Sequence, residues 1–218
     1  GICCPNGELA LRIGDVVPSP TTRIVVNCAG RTRSIIGAQT LIDLGVPNPV
    51  LALENGTQGW FLAGLELERG AGRRYPDRPA NPDADALQAR AARFAAGCHV
   101  RCVTQQEVRA LVADKGRTTY LLDVRTPEEL AAGTAPGFVH APGGQLIQAT
   151  DQWVGVRGAR LVLIDDENVR APVIAAWLRQ LGHEALVLTG GRAAANELGV
   201  ERPAPAAVPA PRPMTVTA

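Results

Sequence analysis

The chain has 218 residues, of which 22 are Lys or Arg and 21 are Asp or Glu, so its formal charge is +1. This near-balance argues against a nucleic-acid-binding protein, which needs a basic excess gathered on one face. No stretch approaches the roughly 18–20 uninterrupted apolar residues of a membrane span. The first residues also lack the basic start and apolar run of a secretory signal. We expect a globular cytoplasmic protein of one large domain or two small ones.

The front of the chain alternates short apolar runs with helical periodicity. We predict a helix over Glu8–Val17, a buried strand over Arg23–Asn27, a helix over Ser34–Leu44 that Gly45 ends, and a second strand over Pro49–Leu53. The order of these elements indicates an α/β unit.

A change in composition separates this front module, residues 1–69, from a rear module, residues 98–200. Residues 70–86 are rich in Pro, Gly and charge, and we predict a linker over 70–97. Residues 201–218 alternate Pro with Ala and Val, which favours an extended tail without a packed core.

The rear module repeats the alternation over a longer span. Thr104 and Glu107 form a predicted capping box, and Thr126-Pro127-Glu128-Glu129 opens a second helix with a cap, a proline and acidic residues. The other predicted elements are strands at Thr119–Val124, Leu161–Ile164 and Glu184–Leu188, and a helix at Ala171–Leu181 that turns Val173, Ile174, Trp177 and Leu181 inward. Strands that alternate with helices indicate a mainly parallel α/β sheet flanked by helices.

The two modules contain an internal repeat. The segment RIVVN-Cys28-AGRT-Arg33 aligns with RLVLI-Asp165-DENV-Arg170, and each segment reads as strand, tight loop and helix entry. The repeat covers most of the front module but only the second half of the rear one. We therefore predict that the front module lacks its own N-terminal half, and that an upstream segment of the same protein completes it.

Cys28 is the strongest candidate for a reactive group. A loop at a helix N-terminus points backbone N–H groups inward and binds anions. These donors, the helix dipole and the nearby Arg31 and Arg33 favour the thiolate, and such settings lower a cysteine pKa from about 8.5 into the ~3.5–7.5 range. Gly30 permits backbone angles that other residues resist. The alternative is that Cys28 is a small buried residue without reactivity.

The other cysteines suggest no comparable site. The chain has five cysteines, at positions 3, 4, 28, 98 and 102. This odd, sparse set argues against a disulfide scaffold and favours a reducing compartment. Cys98 and Cys102 flank His99 and Arg101 in a spacing that could bind a metal, but no second well-spaced pair accompanies them. We predict no metal.

The loop CAGRTRS, followed by IIGAQTLIDLGV and NPVLALENGTQGW, resembles the active-site region of a rhodanese, a thiosulfate sulfurtransferase. The rear module resembles a whole rhodanese-like domain at Leu122–Glu129, at Gly137–Gly143 and at Leu188–Gly191. The resemblance covers roughly residues 1–69 and 100–200. It implies a rhodanese-like fold in two modules.

The resemblance also implies roles for the loop. Cys28 would carry the persulfide, Arg33 would hold the loop and help to bind an anionic donor, and Arg31 would face that donor at the entrance. The amides of Ala29, Gly30, Arg31, Thr32, Arg33 and Ser34 would stabilise the sulfur anion. Trp60 would be a wall of the pocket, although a lone Trp after a Gly turn is equally typical of core or rim packing.

The length of the loop distinguishes two chemistries. Related phosphatase loops place five residues between Cys and Arg, whereas four stand between Cys28 and Arg33. The smaller loop favours one extra sulfur over a bound phosphate, so a phosphatase or arsenate reductase is the weaker hypothesis.

The rear loop departs from the family at its first position. It consists of Asp165, Asp166, Glu167, Asn168, Val169 and Arg170. A carboxylate cannot carry a persulfide, and three acidic residues would repel an anionic donor. We predict that the rear module is non-catalytic and that His140 and His183 are packing or surface residues.

Together these observations predict a sulfurtransferase that moves sulfane sulfur from thiosulfate, or a similar small anion, to cyanide or a thiol through a Cys28 persulfide, without a cofactor. The alternative hypothesis is a non-catalytic rhodanese-like scaffold or redox-sensing protein.

Overall fold

The computed structural model describes residues 1–77 and 83–201. The predicted tail at 201–218 lies outside these residues except for Glu201. In the described part, no helix is long and apolar enough to cross a membrane.

The rear module forms a parallel sheet of five strands, which are β3 (Arg101–Val103), β4 (Thr119–Asp123), β5 (Val139–His140), β6 (Arg160–Ile164) and β7 (Glu184–Leu188). Their order in the sheet is β3-β7-β6-β4-β5. The central strand β6 is buried along its whole length, as expected for a sheet covered on both faces. This arrangement confirms the predicted parallel α/β fold.

Helices cover both faces of this sheet. The capping boxes predicted at Thr104 and Thr126 are both present, with each Thr side chain accepting from the backbone of a Glu whose side chain accepts from the Thr backbone. Leu181, predicted to point inward, is instead 53% exposed. It is the C-terminal cap of the helix Arg170–Gln180 and lies beyond the buried face of that helix. The helices are α5 (Gln105–Ala113), α6 (Pro127–Ala131), α7 (Gly143–Gln148), α8 (Arg170–Gln180) and α9 (Gly191–Asn196), with a 3₁₀ turn at Thr150–Gln152.

The front module has the same local order with fewer strands. Strands β1 (Ile24–Val26) and β2 (Val50–Ala52) pair in parallel, and helix α2 (Thr32–Asp43) connects them. One face of this pair packs against α2, where Ile24 and Leu41 share a buried cluster with Leu9. A 3₁₀ turn at Asn6–Glu8 and helix α1 (Leu9–Val16) precede the pair, and α3 (Gly56–Leu62) follows it.

The predicted linker over 70–97 is a helix in its second half. Helix α4 (Ala84–Gly97) packs Leu87, Ala91 and Phe94 against the two modules, and the Phe94 ring meets Trp177 edge to face at 6.2 Å. Apolar residues recur at helical spacing there, but the Pro-rich first half dominates the composition of the segment.

Equivalent positions of the two modules meet at their interface. The Trp177 indole donates to the Thr40 hydroxyl at 2.8 Å, and these two residues stand 137 positions apart. The same offset relates the two loops of the repeat and also relates Gly144 to Gly7. A Cβ on Gly7 would lie 2.5 Å from the Gly144 nitrogen, so the two backbones touch here. The modules therefore pack as two equivalent subunits pack around a two-fold axis.

Candidate functional site

Cys28 lies where β1 ends, in the loop that enters α2. Its thiol is half-buried and donates to the Ser34 hydroxyl at 3.5 Å, and that hydroxyl donates to the Arg31 carbonyl at 2.9 Å. When Cys28 is ionised, the hydroxyl can rotate and donate to Sγ instead. Burial raises the pKa of Cys28, but hydrogen bonds from the Ser34 hydroxyl and from the Ser34 and Gly30 amides, with the charge of Arg33, outweigh it. The pKa of Cys28 is therefore below its ordinary value, and its thiolate is favoured.

The structure brings some of the predicted loop residues to the sulfur and not others. Gly30 and Ser34 contribute amides to it, whereas Ala29, Arg31 and Thr32 are exposed at the mouth of the loop. Arg33 is half-buried and lines a cavity of about 540 Å³ whose wall does not include Cys28.

Trp60 is placed outside the loop. It is 41% exposed on α3, and its indole donates to the Glu66 carbonyl at 2.8 Å. In the described residues it has no hydrogen bond to Cys28 or to its loop. Packing at the rim of the module accounts for this position.

The start of α3 holds the loop from behind, which the sequence reasoning missed. The amides of Thr57 and Gln58 donate to the carbonyls of Cys28 and Ala29 at 2.9 and 3.0 Å. Gly56 has φ +58, and a Cβ there would lie 2.2 Å from the Cys28 carbonyl oxygen. The signal in the sequence was the Asn-Gly pair after the second strand, which matches Gly190-Gly191 in the rear module.

The rear loop has the same backbone arrangement, but the carboxylate of its own first residue, Asp165, supplies the anion. The Asp165 carboxylate accepts from the amides of Asn168, Val169 and Arg170 at 3.1, 2.9 and 2.8 Å, and the side chain is fully buried. The amide of Arg192 donates to the Asp165 carbonyl. The carboxylate therefore occupies the anion-binding loop permanently.

The other two acidic residues of the rear loop are paired. Asp166 lies 3.0 Å from Arg125 and 2.6 Å from Arg192, and Glu167 lies 2.5 Å from Arg170. Their negative charge is thus largely compensated. The loop is closed to an anionic donor chiefly because Asp165 fills it, and less because of repulsion.

Arg170 is the centre of a buried ionic cluster. Its guanidinium is fully buried and pairs with Glu8 of the front module at 3.2 Å, with Glu129 at 2.6 Å and with Glu167. Burial lowers the pKa of Arg170, but these carboxylates raise it well above its ordinary value. The cluster fixes the rear loop to α6 and to the front module.

Among the residues that the structure describes, no three His, Cys, Asp or Glu side chains are grouped so that they could hold a metal ion. His140 lies in β5 at the edge of the rear sheet, and its Nε2 lies 2.9 Å from the Arg125 carbonyl oxygen.

The rear module is a parallel α/β sheet flanked by helices, and in each module a tight loop joins a strand to a helix. Residues 104–197 match the family model described as Rhodanese-like domain. These residues of the chain therefore belong to the rhodanese-like family.

Comparison with solved structures extends the similarity to the front module. The thiosulfate sulfurtransferase from Pseudomonas aeruginosa is 50% identical with a TM-score of 0.85, over 87% of this chain and 36% of that one. A rhodanese homolog from the bacterium Thermus thermophilus is 27% identical over 42% of this chain and 96% of that one, with a TM-score of 0.33. The chain thus spans about a third of the Pseudomonas protein. The comparison with curated proteins found no match.

Proposed function

We propose that the protein is a sulfurtransferase of the rhodanese type in which Cys28 carries the sulfur. The observation that carries this proposal is the thiol at the entrance of α2, whose pKa is held below its ordinary value by Ser34, Gly30 and Arg33. The 50% identity to a thiosulfate sulfurtransferase supports the same reaction class.

The first step takes sulfur from the donor. The Cys28 thiolate attacks the outer sulfur of thiosulfate, a sulfur–sulfur bond forms to Cys28, and the bond within thiosulfate breaks. Sulfite leaves with the electron pair of that bond. The amides of Gly30 and Ser34 and the Ser34 hydroxyl are placed to stabilise the negative charge of the resulting persulfide.

The second step releases the sulfur. Cyanide or a thiolate attacks the outer sulfur of the persulfide, and the electron pair of the broken bond returns to Cys28 as thiolate. Thiocyanate or a new persulfide is the product. The covalent intermediate divides the transfer into two displacements that need no metal or organic cofactor.

We infer that the rear module does not catalyse this reaction. Asp165 stands where Cys28 stands in the front module, and it is fully buried with its oxygens bonded to three amides. The role left for this module is to support the front one through Arg170 and Glu8.

The test is thiocyanate formation from thiosulfate and cyanide by the protein produced from its complete gene. We expect Cys28→Ser to reduce the rate at least about a thousandfold, as loss of a covalent nucleophile does. The matched control is Cys102→Ser, which removes an exposed thiol of the rear module and should change the rate by less than about twofold. Equal rates in the wild type and Cys28→Ser would refute the proposal.

A further inference from the structure

The first two carbonyls of the Cys28 loop turn towards the start of α3. The Cys28 carbonyl accepts from the Thr57 amide at 2.9 Å, and the Ala29 carbonyl accepts from the Gln58 amide at 3.0 Å. The described residues contain no cis peptide bond, and in a trans peptide the C=O and N–H groups point in opposite directions. The amides of Ala29 and Gly30 therefore point away from α3, and the Gly30 amide reaches the Cys28 sulfur.

The Thr57 side chain adds a second donor to the Cys28 carbonyl. Its hydroxyl donates to that oxygen at 3.2 Å and accepts from the Asn27 side-chain amide at 3.1 Å. A hydroxyl has one hydrogen to donate. Because the Asn27 amide occupies a lone pair of the hydroxyl oxygen, this hydrogen is left to point at the Cys28 carbonyl. Together with the Thr57 amide, it uses both lone pairs of that carbonyl.

These hydrogen bonds oppose rotation of the peptide that joins Cys28 to Ala29. A rotation would take the Cys28 carbonyl away from both donors of Thr57 and would turn the Ala29 amide with it, because the peptide moves as one plane. The Gln58 amide fixes the next peptide in the same way. The start of α3 therefore sets the direction of the two amides that follow the thiol.

The rear loop lacks this pair of side chains. Ile164 stands at the position of Asn27, and Arg192, which follows the left-handed glycine, stands at the position of Thr57. The Arg192 amide donates to the Asp165 carbonyl at 3.1 Å, but neither of these rear side chains has a hydroxyl. The amides of the rear loop are held by its own carboxylate. The hydroxyl is thus present in the module whose loop begins with a thiol.

We propose that Thr57, with its hydroxyl directed by Asn27, is a positioning residue that holds the first peptide of the Cys28 loop so that the following amides face the sulfur. This role rests on the proposed function, in which the amides stabilise the thiolate before the transfer and the persulfide after it. Donors that are already aimed at the sulfur need no reorganisation when negative charge develops there. Thr57 itself bonds to the carbonyl and does not touch the reacting atoms.

The pH profile of Cys28 alkylation by iodoacetamide tests this inference without sulfur transfer. The protein from the complete gene is compared with Thr57→Val, which keeps the shape of the side chain and the backbone bond to Cys28 but removes the hydroxyl. We expect the midpoint of the profile to rise, so that alkylation slows about three- to tenfold below it, while the fully ionised thiolate reacts as fast as before.

Two further variants are matched to this one. Thr57→Ser keeps the hydroxyl and should restore the wild-type profile. Asn27→Ala removes an exposed side chain and leaves the hydroxyl free to turn, so it should raise the midpoint by less than Thr57→Val does. Urea unfolding of the same variants measures their stability separately.

An unchanged midpoint in Thr57→Val would overturn the inference, and a loss of stability without a shift would assign the hydroxyl to the fold alone. A fall in rate that is equal at every pH, or a profile that Thr57→Ser does not restore, would also contradict it. A raised midpoint that Thr57→Ser restores supports the positioning role even if the wild type forms no thiocyanate, a result that would refute only the proposed function.

Discussion

The Cys28 loop and the Asp165 loop share one backbone arrangement but differ in the side chain at their first position. Each follows a parallel strand, enters a helix and is held from behind by a left-handed glycine near its first carbonyl, Gly56 or Gly191. In the rear loop, the resident carboxylate satisfies the amides. In the front loop, a half-buried thiol faces an open mouth. On the proposed mechanism, the side chain at the first position decides whether the loop is a fixed structural element or a site for a transferable anion.

The loops also differ in how their arginines are held. Arg170 is enclosed by three glutamates, whereas Arg33 has no ionic partner among the described residues. The rear loop is therefore fixed by ion pairs that its front counterpart lacks among the described residues.

The largest expected effect separates these two arginines. Arg170→Met should destabilise the 218-residue chain by about 3–5 kcal/mol, because Glu8, Glu129 and Glu167 lose their common cation. Arg33→Met in the same chain should change stability by less than about 0.5 kcal/mol. Urea unfolding measures both, and similar losses for the two variants would contradict the comparison.

The second prediction tests the shared frame. Gly56→Ala and Gly191→Ala should each cost about 2 kcal/mol or more, because φ is positive and the new Cβ would lie 2.2 or 2.4 Å from a carbonyl oxygen. Gly64→Ala is the control, since φ is +74 there and nothing lies within 4 Å. It should cost only about 1 kcal/mol. Thermal unfolding measures the stability of the three variants. Equal losses of stability would show that the approach of the new Cβ to the carbonyl oxygen is unimportant.

The third prediction concerns the stability of the protein at low pH. Burial raises the pKa of Glu129, but Arg170 and the Thr126 cap outweigh it and lower this pKa to about 2. The stabilisation is therefore complete above the unfolded pKa near 4.5 and is lost as pH falls towards 2. Glu129→Gln should be about 2 kcal/mol less stable than the wild type at pH 7 and equally stable near pH 2. A difference that is constant with pH would contradict this assignment.

The smallest expected effect is on the reactivity of the Cys28 thiol. Ser34→Ala removes the side-chain hydrogen bond that helps to lower the pKa of Cys28, so this pKa should rise and alkylation by iodoacetamide at pH 7 should slow several-fold. Thr32→Ala, at an exposed residue of the same loop, should leave the rate unchanged. Mass spectrometry of the Cys28 peptide gives both rates, and an equal rate in Ser34→Ala would remove Ser34 from the site.

What the sequence could predict was local. The capping boxes at Thr104 and Thr126, the parallel order of strands and the matched loops follow from short patterns, and the structure contains them. Helix α4 was missed because its Pro-rich neighbour dominates the composition. The Glu8–Arg170 pair joins residues 162 positions apart, and no short pattern signals it.

The charge of the rear loop shows the same limit. Asp165, Asp166 and Glu167 predict repulsion of an anion when they are read alone. Arg125 and Arg192, which pair with Asp166, come from other elements, so this compensation is visible only in three dimensions.

The measurement that tests the central claim most directly is the mass of the intact protein from the complete gene after incubation with thiosulfate. Transfer through Cys28 predicts a gain of one sulfur atom, located on the Cys28 peptide, removed by cyanide and absent in Cys28→Ser. No gain, or a gain that persists in Cys28→Ser on an exposed thiol such as Cys3 or Cys102, would contradict the account.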